Sequence, residues 1–150
     1  MRSGRVRRVG VFRATALAAL ALLVGAEAAA QSQDGLEQAA DRARQAWMRH
    51  DLARLLGESD TVRLQLPGVP RSAALEPGQA ARLLTRYMGS AREVELEVVG
   101  LRRAAADHGY AETVRRFVIE GTTDERQETV FIGFRFVAGA WRVREVRVVP

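Results

Sequence analysis

The sequence predicts an α+β domain in which a curved antiparallel β-sheet wraps around an N-terminal helical layer. Three observations predict it. Apolar residues recur at three- and four-residue steps over 34–56 and again over 76–88. From residue 92 onward the pattern changes to long alternating segments separated by turn-forming stretches. The chain has 150 residues and no cysteine, so it is one domain's worth of sequence that rests on its core, with no disulfide and no thiolate metal site.

Ahead of that domain, residues 1–30 read as a secretory signal peptide. The basic start "MRSGRVRR" leads to the apolar run Ala14 to Ala26, and "AEAAAQ" supplies small residues for cleavage after Ala30. That run has 13 residues, and a transmembrane helix needs ~20. The residues after Arg7-Arg8 do not fit a twin-arginine signal, so the general secretory route is expected. The mature domain, 31–150, would then be periplasmic or secreted, with no stable membrane anchor after cleavage. The net charge of +5 divides unevenly. Residues 1–30 carry five Arg against Glu27, and the rest carries 18 Arg against 17 acids. The mature domain therefore offers no strongly basic surface, which argues against nucleic acid as a partner. All 23 basic residues are Arg, a compositional bias and not a site.

Each element follows from its pattern. In "DGLEQAADRARQAWMRHD", Leu36, Ala39, Ala40, Ala43, Trp47 and His50 share one helical face, with Asp34 or Gly35 as the start. Asp51 is placed to N-cap a short helix with Leu52, Leu55 and Leu56 inward, ended by Gly57. "TVRLQLPG" is the first strand, with Val62, Leu64 and Leu66 on one face. A third helix, "EPGQAARLLTRYM", has Pro77 in its first turn and Ala80, Leu83, Leu84 and Tyr87 on its buried side. "REVELEVVG" places Val94, Leu96 and Val98 on one face and Glu93, Glu95 and Glu97 on the other. "GYAETVRRFVIEG" and "ETVFIGFRFVAG" are the next strands, and "WRVREVRVV" is the last. In that last strand the apolar parity shifts near Arg144-Glu145, which predicts a β-bulge. Val130–Val137 is apolar on both parities, so it asks for cover on both faces: helices on one, and a second copy of the chain on the other, a homodimer.

Helix, short helix, strand, helix and antiparallel meander is an order that resembles the nuclear transport factor 2-like superfamily, which includes ketosteroid isomerases and SnoaL-type cyclases. The residues that carry the resemblance are "HDLARLLGESDTVRLQLPG", "EPGQAARLLTRYM", "VELEVV" and "GFRFVAGAWRVREVRVV". The chain looks most like short exported bacterial domains of that superfamily whose function is unknown. The resemblance implies a cone-shaped, cystatin-like arrangement with an apolar pocket where the sheet wraps the helices. Ketosteroid isomerases work there with an Asp base, a Tyr and a protonated Asp. The matching positions in this chain are Leu66 for the base, Ala43 for the tyrosine and Ile132 for the protonated acid. None of the three can donate or accept a proton, so the resemblance carries no catalytic residues with it.

Other candidate residues have plain structural roles. His50 reads as a helix-end residue and His108 as a loop residue, and two histidines so separated make no metal site. Glu93, Glu95 and Glu97 read as outer-face partners for arginines such as Arg115, Arg135 or Arg142. Of Arg115 and Arg116, one faces each side of its strand. Ser32, Ser59, Ser72 and Ser90 lack a nucleophile context.

The sequence therefore predicts an exported, non-catalytic domain that binds a small hydrophobic molecule or a protein partner, without cofactor or metal. Trp47, Leu64, Leu66, Tyr87, Ile132 and Phe134 are the candidate pocket lining. Two alternatives stand beside it. One is a lyase, isomerase or hydrolase, which needs a carboxylate–His or Tyr–His pair in the pocket. The other is a structural dimer with a filled pocket. A cavity of ~300 Å³ or more would favour ligand binding over the filled form.

Overall fold

The structure, a computed structural model, describes residues 35–150. The expected signal peptide over 1–30 and the domain start at 31 lie outside the described residues.

Helix α1 runs over 35–48 and buries Leu36, Ala39, Ala40, Ala43, Ala46 and Trp47. Its small residues let it approach the sheet closely. A Cβ added at Gly109 in the facing strand would sit 2.6 Å from Leu36 Cδ2. The helix ends as expected at His50, whose φ of 55° is in the left-handed region. The His50 amide donates to Trp47 O at 2.8 Å and the Asp51 amide to Ala46 O at 2.9 Å. These are the two bonds of a Schellman cap, in a position glycine usually fills. Asp51 then N-caps α2, Leu52–Leu56, by accepting the Arg54 amide at 3.0 Å.

Strand β1 is Arg63–Gln65, shorter than its alternation suggests. Val62 makes only an isolated bridge to Leu75. Leu66 already belongs to a turn: the Val69 amide donates to Leu66 O at 3.2 Å, with Pro67 second and Gly68 third at φ 75°. Pro followed by a positive-φ Gly is the type II turn pattern. Helix α3, Pro77–Met88, packs against α2. It buries the i, i+4 row Ala80, Leu84 and Met88. Leu83, expected inside, lies on the flank of that row and is exposed, and Tyr87 is half-buried.

Four long strands complete the chain: β2 Ala91–Ala105, β3 His108–Ile119, β4 Glu125–Val137 and β5 Ala140–Val149. The sheet order is β1-β5-β4-β3-β2. Neighbours are antiparallel, as expected of the curved sheet, except the short edge strand β1, which runs parallel to β5. A parallel pair needs a long crossover, and α3 with the β2–β4 meander supplies it. The sheet is curved and unclosed, with β1 and β2 as its edges. Bulges bend it: three register shifts lie between β2 and β3, and one lies between β4 and β5. In the last, Gly133 faces Glu145 and Phe134 faces Val143, so Arg144 is the extra residue where the parity shift placed the bulge.

The first β2 bulge overturns one expectation. Glu93 pairs with Phe117 and Glu95 with Arg116, which leaves Val94 as the extra residue. Val94 is therefore exposed, while the Glu93 side chain, expected on the outer face, turns inward and is 2% exposed. Glu95 stays outside and pairs with Arg116. At the far end of β4, Phe136 shares the parity of the buried Ile132 and Phe134. It is instead 37% exposed and tilts against Trp141 with ring centroids 5.3 Å apart. The outer face of β4 holds Phe131, with the Arg147 guanidinium 4.4 Å from its ring centroid.

Candidate functional site

The concave face of the sheet carries an ion cluster that the sequence pattern hides. Arg115 on β3 is 1% exposed and lies 4.0 Å from the Phe117 ring centroid and 5.6 Å from that of Trp47. Its Nη2 donates to Glu93 Oε1 at 2.5 Å, its Nε to Glu93 Oε2 at 2.9 Å and its Nη1 to Glu128 Oε2 at 2.9 Å. Tyr87 donates its hydroxyl to Glu128 Oε1 at 2.6 Å, and His50 Nε2 lies 3.3 Å from Glu93 Oε1. Five elements meet here: the α1 cap, α3, the bulged start of β2, and the paired strands β3 and β4.

The electrostatics follow from burial and contact. Burial alone works against the charged guanidinium of Arg115, but hydrogen bonds and charge from Glu93 and Glu128 outweigh it and hold its pKa above the ordinary value. Burial first, and then the bond to Glu128, push the Tyr87 phenol well above its usual range, so it stays protonated and donating. The cluster contains the carboxylate–His pair that an enzyme reading asked for. Glu93, however, has both oxygens taken by Arg115, so it is held as an ion-pair partner and not as a free base.

The six sequence-predicted lining residues divide. Trp47, Leu64, Ile132 and Phe134 come together in the core, at 0%, 3%, 1% and 2% exposure. Trp47 is fully buried, and its Nε1–H has no acceptor among the described residues. Leu66 and Tyr87 are half-buried at the margin of this core.

A separate cleft of about 170 Å³ opens between α1, α2 and the β4–β5 hairpin. Its apolar floor is Ala39, Ala43, Leu55, Phe134 and Trp141, and its rim carries Arg42, Arg54, Arg142 and Glu58. Ser59, on the same wall, is spoken for: its hydroxyl donates to Val143 O at 2.6 Å. Phe134 is the one expected lining residue that reaches this cleft. Glu93, Arg115 and Glu128 do not line it. Among the described residues, no cluster of His, Asp or Glu could hold a metal ion.

No family profile matches the sequence, and no curated protein is similar to it at the sequence level. Solved structures are similar in fold. A ketosteroid isomerase-like protein from Erwinia carotovora atroseptica superposes with a TM-score of 0.64 at 17% identity, over 77% of this chain and 93% of that one. An NTF2-like family protein from Streptomyces avermitilis gives 0.61 at 13% identity, over 80% and 96%. A DUF4783 family protein from Bacteroides uniformis gives 0.56 at 13% identity, over 73% and 90%. The chain has the nuclear transport factor 2-like fold.

Within this fold the three positions matched to isomerase chemistry are accounted for. Ile132 is core, Ala43 is floor of the cleft, and Leu66 is the first residue of the Pro67-Gly68 turn. The inward Glu93 was missed because a bulge reverses strand parity without changing composition. The available signal was "TVRRFV" opposite "REVELEVV": of two adjacent arginines in a strand one must face in, and a buried guanidinium needs carboxylates.

Proposed function

We propose that the chain is an exported, non-catalytic binding domain that takes a small molecule in the cleft between α1, α2 and the β4–β5 hairpin. The observation that carries this reading is the state of the interior. Its buried ion cluster is bonded to itself and its apolar side chains are packed, while the cleft keeps an apolar floor that reaches Phe134 and Trp141. A volume of about 170 Å³ is below the ~300 Å³ of a typical drug-sized pocket, but comparable with the ~150 Å³ cavity that holds benzene. The ligand on this reading has roughly six to ten heavy atoms. Export is supported by the basic, apolar and small-residue order of residues 1–30. No helix among the described residues is long and apolar enough to cross a membrane.

Native mass spectrometry of the protein from the exported fraction tests the reading. The expected result is a chain beginning at Gln31 that retains a small bound mass. A full-length, ligand-free species would contradict it.

A second copy is the proposed protein partner. On the outer face Tyr110, Phe131 and Gly133 line a hollow of about 400 Å³ framed by Arg102, Arg147, Glu112 and Glu145. Two charges of each sign suit a two-fold contact, in which each patch meets its own copy reversed. Phe131→Glu is expected to give a monomer by light scattering. A parent protein that is already monomeric at micromolar concentration would end this reading.

A further inference from the structure

The cleft is apolar at its floor and cationic at its rim, and the two properties together specify a ligand. Arg42 comes from α1, Arg54 from α2 and Arg142 from β5, against the single carboxylate of Glu58. Among the described residues none of these three guanidiniums lies within ion-pair distance of a carboxylate. Arg44, Arg71, Arg115, Arg116, Arg135 and Arg144 each have an acidic partner. Among the described residues others on the surface, such as Arg63, Arg82 and Arg126, share the lack of one. What sets the cleft apart is that three such arginines line one hollow. Arg142 donates through Nη1 to the Glu58 carbonyl at 3.0 Å, yet its Nε–H is buried without an acceptor. An unpartnered buried donor on a cation is costly, and a small turn of the Arg142 side chain toward an anion in the cleft would relieve it. Trp47 Nε1, in the core, is also buried without an acceptor. Beneath the arginines, Phe134 and Trp141 offer aromatic contact and Ala39 and Ala43 leave the room.

We infer that the cleft binds a small organic carboxylate, its apolar body seated on Phe134 and Trp141 and its carboxylate held among Arg42, Arg54 and Arg142. This rests on the small-molecule reading above and adds the charge. A planar guanidinium presents paired donors that match a carboxylate, and three such groups from three elements let the rim close on it without new backbone. The net excess of two positive charges at the rim favours an anion over a neutral molecule of the same shape.

The test compares sodium benzoate with benzamide, its neutral isostere, by amide chemical-shift titration of the purified protein at low salt. The expected result is saturable shifts at Ala43, Leu55 and Val143, with benzoate binding at least about tenfold tighter than benzamide. Arg142→Gln is expected to shrink that preference to about threefold or less, and high salt to weaken benzoate alone. Arg54→Gln, on an exposed helix position, gives the same readout should Arg142→Gln unfold. Equal binding of both probes would overturn the carboxylate inference and leave the small-molecule reading standing. No shift with either probe would overturn both.

Discussion

Replacing Arg115 by methionine is expected to destabilise the domain by about 3–5 kcal/mol, the range for breaking a buried ion pair from one side. The structure places the site at the severe end of that class. Arg115 and Glu93 are 1% and 2% exposed, and Glu128 is 14% exposed. Methionine fills much of the volume between Trp47 and Phe117 but leaves Glu93 with only the His50 contact at 3.3 Å. For a domain of this size, where 1 kcal/mol moves the midpoint by about 4 °C, Tm should fall by about 12–20 °C. Urea unfolding followed by the fluorescence of Trp47 and Trp141 measures it, with circular dichroism confirming that the variant is folded at zero urea. The double variant Glu93→Leu with Arg115→Met removes the two most buried charges and leaves Glu128 its bond from Tyr87. It should recover most of the loss, because apolar replacement of a buried ion pair is often neutral. An Arg115→Met variant within about 1 kcal/mol of the parent, or a double variant as unstable as the single one, would refute the reasoning.

Three further outcomes rest on particular contacts. Tyr87 has its pKa raised in the fold, so its contribution to stability is complete below about pH 10 and is lost as pH climbs toward its folded value; Tyr87→Phe should flatten the loss of stability above about pH 10 in alkaline urea titrations. At His50, φ 55° admits glycine but not a β-branched residue, so His50→Gly should fall within about 1 kcal/mol of the parent and His50→Val clearly below it in thermal melts. Gly109→Ala puts a methyl 2.6 Å from Leu36 Cδ2 and 3.3 Å from Arg102 O, and should cost about 1–3 kcal/mol by denaturation as α1 is pushed from β3.

The elements that depend on local pattern were legible in the sequence. The α1 face, the Asp51 cap and the Arg144 bulge each follow from a periodicity or from a residue suited to one position. The misreadings share a different cause. Val94 and Glu93 exchange faces because a bulge is set by pairing with β3, which lies some twenty residues away in sequence. Leu83 and Phe136 are apolar residues at the margins of buried faces, where the pattern is right but the covering element ends. Beyond these, the parallel pairing of β1 with β5 is set by topology, to which alternation is blind. The cleft was out of reach for a related reason. Its arginines come from α1, α2 and β5, and only the fold brings them to one rim.

If the concave interior is a packed core, the usable hollow is the cleft beside it. Diffraction from a crystal pressurised with xenon separates the two, since xenon marks apolar space. No xenon is expected against Trp47, Leu64 or Ile132, and any site should lie against Phe134 and Ala43 in the cleft. A xenon atom lodged between Trp47, Leu64 and Ile132 would overturn the packed core and restore the interior as the binding pocket.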